Sequence, residues 1–409
     1  MASATTTLSR HDAWIIGLVS VAHGLSHFFQ LVLPPLFPFL HKEFDVSYAT
    51  LGLMMMVFYT VSGVAQTGAG FLVDRYGARR ILLVGLALFA LVVALIGLSP
   101  TFWLLFPLAA LAGIGNSVFH PADFAILNAS ITKGWLGRAY GAHSIAGNIG
   151  WALAPIATVG LATTFGWRSA LIILGCVGLA AVAFMALRIE LTVAHRPART
   201  DRSLGTPTIG ESLRLFMALP ILTCFAYFTL LAMSLVGLQT FAIPAMIKLY
   251  DTSLDVAATS LTGFLLGGSV GILVGSVLAD RTNRHHLVAV VGILVAAIAV
   301  GIIATGAIPA IAVLAVISLA GFAMGITLPS RDMLVRQSTP AGASGKVYGF
   351  VYSGLDLGSA LTPFLFGWLL DHNLPRALYL VVVGTLALSI VTVLNMRRPA
   401  SALQPAPGD

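Results

Sequence analysis

The chain has 409 residues, of which 58% are hydrophobic and 9% are Asp, Glu, Lys or Arg, against about 25% charge in an ordinary soluble domain. That composition excludes a soluble enzyme, because even two well-built cores would leave too much apolar surface facing water; the natural solvent is a bilayer. The net charge of +7 would suggest nucleic acid in a soluble protein, but here the positions of the charges carry the information.

Cys176 and Cys224 both lie inside apolar stretches, so neither a disulfide framework nor a metal site is indicated. The N-terminal MASATTTLSRHDAW lacks a strongly basic start. The apolar segment after it is long, contains His23 and His27 and has no small-residue cleavage site, so it reads as a retained first span. A spanning helix needs about 20 mostly apolar residues. Charged or Pro/Gly-rich turns divide the chain into twelve such stretches, near 14–39, 50–72, 81–98, 101–126, 136–163, 167–187, 215–246, 256–279, 287–305, 309–331, 346–370 and 375–396.

With the N-terminus placed in the cytoplasm, the inner connections hold seventeen of the 22 Lys and Arg residues. The outer ones hold Lys42, Arg168, Lys248 and Arg376, and Arg331 sits near a helix end. The positive-inside rule then predicts an inner (plasma) membrane protein with both termini cytoplasmic. The longest polar stretch is too polar to span and too sparse to form a core. The expected organisation is a six-helix bundle over 1–190, a cytoplasmic linker over 191–213 and a second six-helix bundle over 214–409.

The two halves repeat at an offset of 206 to 208 residues. Asp74-Arg75 matches Asp280-Arg281, and Gly77 matches Asn283, both residue types that tolerate a positive φ where a loop turns sharply. Gly113 matches Gly321, Pro121 matches Pro329, Tyr140-Gly141 matches Tyr348-Gly349, Gly150 matches Gly358 and Pro155 matches Pro363. Parallel six-helix repeats are one of the transporter architectures, with substrate taken near mid-membrane.

On these residues, and on GFLVDRYGARR between the second and third spans, the chain resembles the major facilitator superfamily. The signature loop is carried by Gly70, Leu72, Asp74, Arg75, Gly77 and Arg79, with Ala78 where a basic residue is common. SHFFQ at 26–30 and GIGNSVFHPAD at 113–123 are similar to the branch containing fosmidomycin resistance proteins. The resemblance implies an all-α membrane protein of twelve transmembrane helices in two pseudo-symmetric six-helix bundles. It also implies that Asp74 and Arg75 latch against the start of the eleventh helix near Gly345 to Tyr348, with Asp280 and Arg281 latching symmetrically against the start of the fifth. GAHSIAGNIGWALAP in the fifth span resembles the motif of antiporters, with Ala154 in place of a glycine. Ala109 stands where many proton-driven drug exporters carry an arginine, which removes their particular relay.

An acid inside a span is a functional candidate by default. Asp356 lies ten residues beyond Lys346, about 15 Å along a helix. It shares a face with Tyr348 and Tyr352 at i, i+4 and i+8. The matching face in the first half carries Tyr140, Ser144 and Asn148, so Asp356 is ionisable where its counterpart Asn148 is not. His23, His27 and Gln30 share one face of the first span and suit either proton coupling or anion binding, or an interhelical bridge. Asp123 and Arg331, pseudo-equivalent and opposite in sign, are expected to pair across the cytoplasmic mouth or to serve separately at the interface, with His120 and His143 nearby and Asp332 as a local alternative for Arg331. Pro34, Pro35, Pro38, Pro121, Pro155, Pro329 and Pro363 are expected to bend helices, and Gly141, Gly150, Gly349 and Gly358 to permit close helix contact.

No GxxxxGK[ST] loop supports ATP-driven pumping, no cofactor or metal is called for, and no enzyme chemistry is indicated. The expected function is secondary transport of a small organic solute by alternating access, proton-coupled through Asp356 and the first-helix histidines, as a monomer in the lipid bilayer without nucleic acid. Efflux of a drug or metabolite is preferred. The alternatives are proton-coupled uptake of a small carboxylate or other organic anion and, from another class, a non-transporting membrane scaffold or sensor.

Overall fold

A computed structural model describes residues 8–132, 134–188, 214–339 and 344–396; the expected linker over 191–213 lies outside them. The described residues are helices joined by short turns, with no strand among them. The helices are α1 (Arg10–Gln30), α2 (Phe37–Phe44), α3 (Tyr48–Tyr76), α4 (Ala78–Gly97), α5 (Leu105–Asn116), α6 (Phe119–Ser130), α7 (Leu136–Phe165), α8 (Trp167–Arg188), α9 (Leu219–Tyr250), α10 (Leu254–Arg281), α11 (His285–Ala304), α12 (Ala310–Ser338), α13 (Ser344–Asp371) and α14 (Pro375–Asn395).

Eleven segments among the described residues are long and apolar enough to cross a bilayer, with α1–α2 (Arg10–Phe44) and α5–α6 (Phe102–Ser130) each forming one span. The remaining long helix, α13, runs for 28 residues but is too polar to join that set, because it carries Asp356 and a hydroxyl-bearing face. Large apolar side chains cover the outside, with Phe71 75% and Leu187 83% exposed, which only a lipid solvent tolerates on this scale.

Proline breaks the first and fourth spans. Pro34 and Pro35 sit in the short 3₁₀ turn between α1 and α2, and Pro121 lies in the first turn of α6, whose ring cannot donate back to Ser117 across the α5–α6 break. Its repeat mate Pro329 lies inside an uninterrupted α12, as do Pro155 in α7 and Pro363 in α13. The expected bends are therefore breaks in the first half alone.

Contacts divide the chain into two compact units, Met1–Val46 with Val57–Thr200, and Ser47–Met56 with Asp201–Asp409. The start of α3, through Met56, counts with the second unit, where the N–H groups of Tyr48 and Ala49 donate to the Asp371 carboxylate at 2.7 and 2.8 Å. In the first unit α1 packs on α7 and α4 on α8; in the second, α10 packs on α12 and α9 on α13 and α14.

Lipid tails are as apolar as leucine, so helices in a bilayer associate by close packing of small residues. A Cβ on Gly113 would stand 2.6 Å from the Phe58 carbonyl oxygen, and one on its mate Gly321 would stand 1.9 Å from that of Phe264. Gly150 and Gly358 make equally close approaches, whereas a Cβ on Gly141 or Gly349 would meet nothing within 4 Å. The expectation of close contact thus fails for the latter pair.

The repeat extends beyond the motifs. Asp45 and Asp251 end α2 and α9 in the left-handed region, at φ 50° and 48°, and Ser47 and Ser253 then cap the next helix through Thr50 and Val256. Arg168 donates to the Ser99 carbonyl at 3.3 Å and its counterpart Arg376 to that of Thr305 at 2.9 Å. These arginines hold helix ends, and so does Lys248 through the Leu370 carbonyl. Gly77 takes φ 91° before α4, but its mate Asn283 is not left-handed; only the first of the two signature turns uses that conformation.

Candidate functional site

The main polar centre lies wholly within the first unit. Asp123, in α6 just past the proline break, is fully buried, and His23 of α1 and His143 of α7 are 2% and 3% exposed. His23 Nδ1 lies 3.1 Å and His143 Nε2 3.0 Å from the same carboxylate oxygen, Oδ2. The two imidazoles stack with centroids 3.6 Å apart. His27 lies one turn along α1 from His23, ring to ring at 4.3 Å, and stacks on Trp151 at 4.1 Å. Trp151 donates its indole N–H to Gln30 Oε1 at 2.7 Å. His120 sits 5.4 Å from the His23 ring and is exposed.

This convergence follows from how α1 and α7 pack. Gly24 and Gly150 bring the two backbones together, and Gly147 leaves the space the histidines fill, since a Cβ there would stand 2.8 Å from His27 Nδ1 and 2.9 Å from His23 ring atoms. His23, Asp123 and His143 each offer one ligand atom, all within 4.8 Å of one another. The expectation of no metal rested on the cysteines; the geometry instead gathers nitrogen and oxygen donors.

A second centre lies in the second unit. Arg331 Nε pairs with Asp332 Oδ1 at 2.9 Å, and Tyr352 donates to the same oxygen at 3.1 Å. Tyr348 donates to the Asp332 carbonyl at 3.3 Å, and the Arg331 guanidinium lies 4.5 Å over the Phe228 ring. Asp356, one turn beyond Tyr352, is exposed in its own unit and makes no ion pair or hydrogen bond among the described residues.

The structure therefore regroups the predicted residues. His23, His27, Gln30 and His120 come together. Tyr348 and Tyr352 gather on Asp332 rather than on Asp356. Asn148 donates to the Ser144 carbonyl of its own helix at 2.9 Å, so it takes no part in the cluster. As for the two readings of Asp123 and Arg331, each residue is seen with partners inside its own unit: Asp123 is held by two imidazoles, and Arg331 by its chain neighbour. Asp74, Arg75, Asp280 and Arg281 are exposed at the ends of α3 and α10, and Arg75 lies 5.4 Å over the adjoining Tyr76 ring.

Asp123 as the centre, together with Trp151 and the pairing role of His143, was not read from the sequence. The signal was present in Asp123 itself, an acid within an apolar stretch, but placing it near a helix end hid its depth.

The family profile described as Major Facilitator Superfamily matches residues 19–242 and 227–409. The chain is 22% identical over 396 residues to the fosmidomycin resistance protein of Escherichia coli (strain K12), covering 96% of this chain and 95% of that one. It is 25% identical over 392 residues to the membrane sensor protein UhpC of the same organism, covering 87% and 86%. A bacterial homolog of the human lysosomal transporter Spinster, in an inward-facing and occupied conformation, has the same fold, with a TM-score of 0.77 at 13% identity over 98% of this chain and 100% of that one.

Proposed function

We propose, for a chain that belongs to the Major Facilitator Superfamily and is a multi-pass membrane transporter rather than an enzyme, that it moves a small organic solute by alternating access coupled to protons, with Asp356 as the proton-carrying group. The observation that carries this reading is Asp356 itself. A carboxylate mid-way along a spanning helix is costly, about 2.5–3.5 kcal/mol on insertion scales, and such residues face protein or water-filled cavities rather than lipid. Asp356 has no partner to neutralise it in its own unit, and α13 is the long helix whose composition is least suited to lipid on all sides. Tyr348 and Tyr352, on the same face of α13, are engaged with Asp332 of α12 instead.

Export is the favoured direction, with both termini in the cytoplasm, supported by the charge distribution and by a relative named for resistance. The exposed Asp74-Arg75 and Asp280-Arg281 pairs are proposed as the latches of the cycle. The likeness to a membrane sensor supports a second reading, in which the fold binds a solute without moving it. Proteoliposomes with an imposed pH gradient and a lumenal pH dye separate the two, with fosmidomycin as the first probe. A coupled carrier moves protons with solute and loses that coupling in Asp356→Asn; a sensor moves neither. Coupling that persists in Asp356→Asn removes Asp356 from the mechanism.

A further inference from the structure

We infer that His23, Asp123 and His143 form a binding site for a divalent transition-metal ion, with zinc the ion that the ligand set suits. The inference does not depend on Asp356 or on transport.

Three donor atoms from three helices converge on one point. Metal–nitrogen and metal–oxygen bonds of about 2.0–2.2 Å in a tetrahedral zinc site set neighbouring ligand atoms roughly 3.3 Å apart. The observed separations of 3.1 and 3.0 Å to Asp123 Oδ2 are within a few tenths of an ångström of that spacing.

Satisfying the carboxylate by hydrogen bonding does not account for this arrangement. A carboxylate has two oxygens and about four acceptor sites, yet both imidazoles aim at Oδ2 while Oδ1, equally buried, has no partner. A buried carboxylate that merely needed donors would spread them over both oxygens, as buried polar groups generally are paired. The charge points the same way. Asp123 is fully buried, and among the described residues its ion pairs are with the two histidines and with no lysine or arginine. A divalent cation between the three donors would supply the positive partner that no lysine or arginine provides.

The surroundings complete a coordination shell. His27 and His120 lie beside His23 at 4.3 and 5.4 Å between ring centroids, either one near enough to supply a fourth nitrogen after a rotamer change, and exposed His120 marks the route of entry. Gly147 keeps the pocket open, because any side chain there would collide with His27 and His23. Imidazole with one carboxylate and no thiolate suits zinc, cobalt or nickel rather than copper(I) or magnesium.

The test uses the full-length chain, purified in detergent with any affinity tag removed and stripped with a chelator. Zn2+ is titrated by calorimetry, and Co2+ is followed by its visible d–d absorption. The expected result is one site per chain whose affinity falls at least about tenfold in Asp123→Asn and in His143→Gln, and which survives in the double variant His11→Gln/His372→Gln, which alters exposed histidines elsewhere. Gly147→Ala, which removes no ligand, also weakens binding by crowding His27 and His23, so the proposal remains testable if Asp123→Asn fails to fold. Zn2+ bound at one equivalent in both ligand variants overturns the assignment. So does an absence of Zn2+ or Co2+ binding by the wild type, which would leave the histidines holding Asp123 by protons alone. Asp356→Asn is expected to bind zinc normally, so failure of this inference and failure of the transport reading give different results.

Discussion

Replacing Gly150 by alanine probes how the first unit holds its histidines in register. Gly150 on α7 faces α1, where an added Cβ would stand 2.0 Å from the Gly24 carbonyl oxygen and 2.9 and 3.2 Å from the carbonyl carbon and Cα of the same residue. All three are backbone atoms, so no side chain can swing aside. Reaching ordinary contact at 3.4 Å requires the two helices to part by ~1.4 Å. Overpacking costs about 1–3 kcal/mol, and alanine's helical advantage over glycine returns only ~0.5–1 kcal/mol, which leaves a net loss of about 0–2.5 kcal/mol, centred on ~1 kcal/mol. Since Gly24 adjoins His23, the same parting draws His23 away from His143 and weakens zinc binding. Gly141, earlier on α7, has open space at its Cβ position, so alanine there gains helix propensity without a clash. Thermal unfolding of the purified protein in detergent should move the two variants in opposite directions, Gly150→Ala down and Gly141→Ala level or up. A Gly150→Ala protein that melts at or above the wild-type temperature refutes the argument from backbone contact.

Three further outcomes are expected. Asp332→Ala strips Arg331 of its carboxylate and Tyr352 of its acceptor; a fully buried broken pair costs about 3–5 kcal/mol, but with Asp332 42% exposed solvent screening reduces the loss to about 1–2 kcal/mol, measured by thermal shift, and an unchanged melting temperature contradicts the role given to this pair. Asp356→Asn should leave the melting temperature unchanged, because no described residue depends on that carboxylate, while transport in proteoliposomes loses its dependence on the pH gradient; a strongly destabilised variant would show that Asp356 is structural. The Ser234 and Thr385 hydroxyls meet at 2.8 Å between α9 and α14, and a double-mutant cycle with alanine should return a coupling of about 0.6 kcal/mol, whereas a value near zero would mean the hydroxyls gain nothing beyond their bonds to their own helices.

The spans, their number and the two-fold repeat were legible because each is written along the chain. Twenty apolar residues in a row make a helix wherever they are placed in a bilayer, since no other local structure satisfies the backbone there. The repeat shows as residues at constant offset, and it was under-read rather than misread: Asp45 with Asp251 and Arg168 with Arg376 belong to it as firmly as the signature loops. Faces were legible too, because i and i+4 are neighbours on any helix; His23 and His27 were placed together on that ground.

Asp123 marks where such reading stops. Its partners His23 and His143 lie 100 and 20 residues away in the sequence, and helical periodicity says nothing about which of several polar residues on other helices will meet an acid. The low dielectric of the bilayer dictates that a buried carboxylate must find a partner, and the sequence left Arg331, His120 and His143 all open as neighbours. The choice was settled by the close approach of α1 to α7 at Gly24, Gly147 and Gly150, which puts two imidazoles within 3.1 Å of Asp123. Composition and periodicity determine that this chain crosses a membrane in two repeated bundles and that its few buried charges must be paired. Which charges meet is decided only by helix packing, because pairing depends on distance in space and that distance is set by the small residues between the helices.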